Sequence, residues 1–181
     1  MQKSGDRVII LGIDPGSRQT GFGLIENQPN RISYIHSGFF KIEGDDLPAK
    51  LGQIFANISE LIKNYQPQQM GIEQVFMHRN ADSALKLGQA RGAAICAGQQ
   101  AGLVIAEYAP RVIKRALVGT GAASKDQVGH MVQRLLGLSR ELQSDESDGL
   151  AIAICHAQFY ATQQKTGLEN HLLKRRRTKR R

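Results

Sequence analysis

Hydrophobic and polar positions along this chain switch between a two-residue and a helical period, and each switch marks an element. Residues 7–14, RVIILGID, are apolar and β-branched almost to the end and predict a strand. Residues 20–26, TGFGLIE, predict a second strand, entered through glycines after a Pro-Gly turn; the alternating RISYIHSGFFKI of 31–42 predicts a third. Short, turn-rich links make 7–42 an antiparallel meander. Over 46–66, Leu47, Leu51, Ile54, Ile58, Leu61 and Ile62 recur at helical spacing, with Pro48 in the first turn and Pro67 as a stop. Strands are predicted at 69–76 and 102–109, and a long helix at 80–100 lies between them. Helices follow at 110–119, at 124–137 with Ser124 as cap, and at 144–162. Beyond about Gln163 no apolar pattern survives.

The order β-β-β-α-β-α-β-α-α-α predicts an α/β domain over 1–162: a mixed sheet, three strands antiparallel and the rest parallel, with helices on both faces. Residues 163–181 are expected to be a disordered basic tail. A chain of 181 residues can bury about 70% of its unfolded surface in one core-forming domain. No apolar run approaches the ~20 residues of a membrane helix, and VIILGI lacks the length and cleavage site of a signal segment. A cytoplasmic protein without membrane contact is expected. Cys96 and Cys155 lie alone in helix-like stretches and read as buried thiols. Net charge is +8, but seven of the 24 basic residues fall in the final HLLKRRRTKRR, and the rest is close to neutral. Such an arm touches polyanions or serves only solubility.

Asp14 breaks the pattern: a strand built for a core ends on a charge, which is costly unless something pairs with it. Three more carboxylates could join it. Glu73 lies near the end of the fourth strand, in GIEQ. Asp145 and Asp148, in SDESDG, are three apart where a helix begins and so share a face. Four carboxylates drawn together repel unless divalent cations neutralise them; two Mg²⁺ ions about 3.5–4 Å apart can clamp a phosphodiester. Each acid also has an ordinary explanation. Asp14 suits a turn before Pro-Gly, Glu73 a solvent-facing strand end, and SDESD a helix N-terminus. Periodicity alone does not decide whether they converge.

Three stretches, LGIDPGSRQTGFG, IEQVFMHRNADSALKLGQARG and SDESDGLAIAICH, strongly resemble the RuvC family of crossover junction (Holliday junction) endodeoxyribonucleases, in the right order and over roughly 7–160. The resemblance implies a ribonuclease H-like fold. It implies a metal-dependent nuclease acting in recombination and repair that resolves four-way junctions by symmetric paired nicks. Asp14, Glu73, Asp145 and Asp148 would be its catalytic, metal-ligating acids, with Mg²⁺ as cofactor, replaceable by Mn²⁺, and two ions per site. A homodimer and a branch-migration motor would be its partners. The arginine-rich ending lies outside the resemblance.

Other residues take roles beside these four. Phe76 follows Glu73 closely on a loop; the resemblance implies stacking on an unpaired base, worth about 1–3 kcal/mol, while a hydrophobic staple on the next helix is the plain alternative. Lys114 and Lys125 match basic positions linked to DNA contact in the family, and Lys125 also sits in a helix's first turn, which favours anions. Arg18, after the Asp14 turn, could reach the same backbone. All three cations could instead be solvated surface. Ala84, Gly88 and Gly92 form a bare ridge that packs on the chain's own sheet or on a twin helix across a two-fold axis. GIDPGS also resembles the phosphate loop of actin-like ATPases, which need two such domains. A shorter resolvase-like RNA-processing nuclease lacks the 72–92 block, and a catalytically dead DNA-binding module would not keep four acids.

Overall fold

The computed structural model describes residues 7–75 and 81–166. β1 (Val8–Asp14), β2 (Gln19–Gln28) and β3 (Arg31–Lys41) form the expected antiparallel meander. β4 (Gln69–Glu73) and β5 (Val104–Tyr108) add in parallel, giving the sheet order β3-β2-β1-β4-β5 with β1 at the centre. α1 (Leu47–Tyr65) and α2 (Ala81–Gln100) pack on one face; α3 (Pro110–Val118), α4 (Lys125–Leu136) and α5 (Ser144–Thr166) pack on the other.

Local chemistry sets the helix ends. Asp46 caps α1 by accepting from Ala49 N at 2.9 Å. Ser124 caps α4 in a reciprocal box with Gln127, as expected, and Gly137 ends it at φ 65°. Two strands are shorter than predicted. β5 begins at Val104 because residues 101–103 still close α2: Leu103 N donates to Gly98 O at 3.0 Å, with Gly102 at φ 77°. β4 ends at Glu73, paired with Tyr108, because beside it β1 stops at Asp14 before Pro15 and β5 stops at Tyr108 before α3, which opens on Pro110. α5 continues through Thr166, the last described residue and four past the predicted end, since neither glycine nor proline interrupts residues 150–166.

Side-chain alternation divides two cores. On β1, Leu11 and Ile13 face α1 and α2 with Met70 and Ile72 of β4, while Val8 and Ile10 face α5. By the same parity Gly12 and Asp14 also point toward α5. Register aligns Ser37, Gly23, Gly12, Gly71 and Ala106 in one row across all five strands. α5 lies on this row of small residues. A Cβ on Gly12 would come 2.2 Å from Gly149 O and 2.5 Å from Ala153 N; on Gly23 it would come 2.5 Å from Leu150 N. Gly149 on the helix answers with its own bare face, 2.5 Å from the carbonyl carbon of Phe22 by the same measure. Helix and sheet therefore touch backbone to backbone.

One expectation about cysteine is corrected. Cys155 is buried in α5, but Cys96 is exposed, because α2 buries only the stripe Ala90, Ala94, Ala97 and Gly98. Among the described residues no helix is long and apolar enough to cross a membrane.

Gly12→Ala is expected to destabilise the fold by about 3 kcal/mol, the upper end for over-packing, because backbone must move. Gly52→Ala, in open space on α1, should instead gain about 0.5–1 kcal/mol from helix propensity. Urea unfolding of both variants measures the difference; equal effects would remove the close seating of α5.

Candidate active site

Asp14 ends the central strand on the α5 face. On β4, Met70 and Ile72 belong to the opposite core, so Glu73 also points toward α5. The first turn of α5 arrives over this strand edge, where a Cβ on Gly21, the register partner of Asp14, would lie 2.1 Å from Asp145 O. Asp145 and Asp148 thus lie next to Asp14. One carboxylate oxygen from each of the three falls within 4.8 Å of the others. Glu73 stands outside that triplet but lines the same cavity of about 280 Å³, together with Asp14, Asp148, Lys114 and Lys125. All four acids are half-buried.

The charges are unbalanced. Burial pushes the Asp14 carboxyl up to about 8, and the neighbouring charges of Glu73, Asp148 and Asp145 add to this. Burial likewise raises Glu73 to about 7, with Asp148 contributing. Lys125 Nζ reaches Asp148 Oδ2 at 3.0 Å, and this hydrogen bond raises the lysine above its usual value. The charges of Lys125 and then Lys114 act against the rise of the Glu73 carboxyl. The donor set fits a hard divalent cation: oxygen ligands only, excess negative charge, and carboxyls that stay protonated near neutrality unless a cation favours the ionised form. Asp14, Asp145 and Asp148 could hold one ion, and Glu73 could extend the site to a second.

The other expected residues fall in three groups. Lys114 and Lys125 line the site itself. Arg18 is exposed in the β1–β2 turn, its carbonyl accepting from Ile42 N at 2.9 Å. Phe76 and the basic tail beyond Thr166 lie outside the described residues. The ridge of Ala84, Gly88 and Gly92 does not meet the chain's own sheet: a Cβ on Gly88 or Gly92 would find nothing within 4 Å, and neighbouring Leu85 is 63% exposed.

Two polar groups of the α5 motif escaped the sequence reading. Glu146, between the two aspartates, is buried and bound by Arg140, whose hydrogen bonds hold its carboxyl below the usual range. His156, also buried, shares hydrogen bonds with Tyr108 Oη at 2.8 Å and with Gln69, and burial lowers it to about 4, so it is neutral. The only sequence signal for either is a polar residue on an otherwise apolar or capping stretch.

Comparison with known proteins gives concordant matches. The family model described as crossover junction endodeoxyribonuclease RuvC matches residues 10–156. The crossover junction endodeoxyribonuclease RuvC of Psychromonas ingrahamii is 58% identical over 149 residues, covering 82% of this chain and 86% of that protein. Its namesake in Shewanella oneidensis is 57% identical over 148 residues, with the same coverage. Among solved structures, Thermus thermophilus RuvC in complex with Holliday junction substrate matches with a TM-score of 0.80 at 31% identity, covering 86% of this chain and 96% of that one.

The raised carboxyls have a stability consequence. Asp14 and Glu73 hold protons more tightly in the folded chain than in the unfolded one, so stability falls as pH rises from about 4 to about 8 without added metal. Asp14→Asn removes the larger share of that loss. In chelator, the variant should melt above the parent, with the gap widening between pH 4 and pH 8 by at least about 3 °C, the shift expected for roughly 1 kcal/mol. A gap independent of pH would show that Asp14 is not held against its neighbours' charge.

Proposed function

This chain belongs to the RuvC family of crossover junction endodeoxyribonucleases, and from that premise we propose how its own residues perform the reaction. It is a Holliday-junction-resolving endonuclease of recombination on a ribonuclease H-like fold. The observation that carries the assignment to named residues is the meeting of Asp14, Asp145 and Asp148 within 4.8 Å, with Glu73 on the same cavity.

Mg²⁺ suits these ligands best, with Mn²⁺ as a substitute, since both take hard oxygens in compact geometry. Two such ions supply an activated water and stabilise the leaving oxygen in phosphodiester hydrolysis. The chain's residues arrange the rest. Asp14, on the most constrained strand, is the fixed point of the site, and Asp145 and Asp148 approach it from the helix. Glu73 closes the far side beside Lys114. Lys125 neutralises Asp148 when no DNA is present; its ammonium, on a flexible stem, would be free to turn to the scissile phosphate once Asp148 served as a metal ligand. Lys114 and Arg18 hold flanking phosphates, positioning the strand without reading sequence. Phe76 is assigned to stacking on a base unpaired at the crossover.

Symmetric paired nicks require two such sites. The open ridge of Ala84, Gly88 and Gly92, with Leu85 exposed beside it, is a surface on which a second copy can seat α2 against α2. A two-fold dimer then presents two sites to a two-fold substrate, where a branch-migration motor can deliver the crossover. The tail adds general polyanion affinity, and the cytoplasm is the compartment in which such a protein meets DNA.

The test is a synthetic four-way junction and its matched duplex, with and without Mg²⁺. Paired nicks in the junction alone, lost in excess chelator and poorly supported by Ca²⁺, are expected; cutting in chelator would defeat the metal mechanism. Asp14→Asn, Glu73→Gln, Asp145→Asn and Asp148→Asn should each slow nicking more than about a hundredfold, beyond the 10–100-fold typical of residues that only support a ligand. Each should bind the junction at least as well as the parent in chelator. Any variant cutting at the parent rate loses its place in the site.

Gly88→Leu and Gly92→Leu test the dimer. Each places a bulky side chain on the ridge and should lower self-association measured by sedimentation, while the monomer keeps its fold. An unaltered dimer in both would move the two-fold contact elsewhere.

A further inference from the structure

The first turn of α5 carries two acids into the site and a third away from it. Successive helical residues turn by about 100°, so Asp145 and Asp148 lie about 60° apart around the axis and Glu146 at least about 100° from either. Glu146 is buried with its carboxylate fully engaged. Its Oε1 accepts from Ser37 Oγ of β3 at 2.6 Å, and its Oε2 accepts from Gln143 N at 3.3 Å, which caps the helix. The Arg140 guanidinium donates to both oxygens, and also to Tyr34 Oη at 3.2 Å and Ser37 Oγ at 3.3 Å. The loop bearing Arg140 is itself tied to α4: Gln133 Nε2 donates to Arg140 O at 2.7 Å. A single carboxylate therefore joins β3, the α4–α5 loop and the start of α5.

We infer that Glu146, clamped by Arg140 and Ser37, is a positioning residue that fixes where Asp145 and Asp148 stand relative to Asp14. The inference rests on the metal-site reading above. Gly12, Gly23 and Gly149 set the height of α5 over the sheet but leave the helix free to roll or slide along the row. The Glu146 clamp removes that freedom at the end where it matters. Half an ångström of drift spoils a shared coordination site. A plain N-terminal acid would need only the backbone contact to Gln143. The ties to Ser37 and Arg140 run to other elements, and Tyr34 braces the guanidinium, 5.8 Å from its ring centroid.

The experiment measures Mn²⁺ binding to the full chain by electron paramagnetic resonance without DNA, beside junction nicking over a range of Mn²⁺ concentrations. Glu146→Ala should weaken Mn²⁺ binding about tenfold, in line with loss of a residue that supports a ligand. It should raise the Mn²⁺ needed for half-maximal nicking by the same factor. The rate at saturating Mn²⁺ should stay within about threefold of the parent, and junction binding in chelator should not change. Glu146→Gln, which keeps shape and acceptor, should recover most of the affinity. If Glu146→Ala does not fold, Arg140→Ala decides, because Arg140 is half exposed and should shift Mn²⁺ affinity in the same direction. A folded Glu146→Ala or, in its place, Arg140→Ala with parental Mn²⁺ affinity overturns the inference. Parental protein that binds no Mn²⁺, or whose binding survives Asp14→Asn, would overturn the metal-site reading instead.

Discussion

Everything at the site depends on how closely α5 sits on the sheet. Five strands contribute one small residue each to a single row, Ser37, Gly23, Gly12, Gly71 and Ala106, and the helix meets it through Gly149 and Ala153. Contact at this range is between backbones, so it fixes the height of the helix over the sheet. It brings the start of α5 down onto the end of β1 and the start of β2. Without it, a helix resting on ordinary side chains would stand farther off the sheet, and Asp145 and Asp148 could not share a cation with Asp14.

That proximity carries an electrostatic cost. Asp14 and Glu73 are driven toward the protonated form by burial first, and then Asp14 by the charges of Glu73, Asp148 and Asp145 and Glu73 by that of Asp148. Lys125 relieves part of the strain through Asp148. The fold sustains the site because its stability comes from two apolar cores. One core lies behind α1 and α2; the other lies beneath α3, α4 and α5 and reaches the floor of the site cavity through Ile113, Val128, Ala151 and Ile152. A cation added there would relieve repulsion that the polypeptide cannot relieve by itself. Binding and deprotonation are then one event.

Much of this was legible in the sequence. Strand and helix order followed from periodicity, and the acids from the resemblance of three motifs. What stayed hidden is instructive. Gly12, Gly23 and Gly71 look like unrelated glycines, because a row across a sheet is a property of register and not of spacing along the chain. Glu146 looked like one more first-turn acid, since its partner Ser37 and the Tyr34 that braces Arg140 both lie over a hundred residues away. The α2 ridge was visible as a bare stripe, but only the structure shows that Gly88 and Gly92 face away from the sheet while Gly98 takes the close packing against Met70 and Ile105. Cys96 was misplaced for the same reason: helical spacing does not say which side of α2 the core lies on.

The central claim is that Asp14 and the α5 aspartates jointly ligate a cation. The most direct measurement is anomalous diffraction from crystals of the full chain grown with Mn²⁺ at pH 8. The account predicts an ion within about 2–2.5 Å of carboxylate oxygens from Asp14 and from Asp145 or Asp148, with Glu73 on the same ion or a second one beside it. Mn²⁺ bound only elsewhere on the molecule, or bound to the α5 aspartates with Asp14 unengaged, would contradict it.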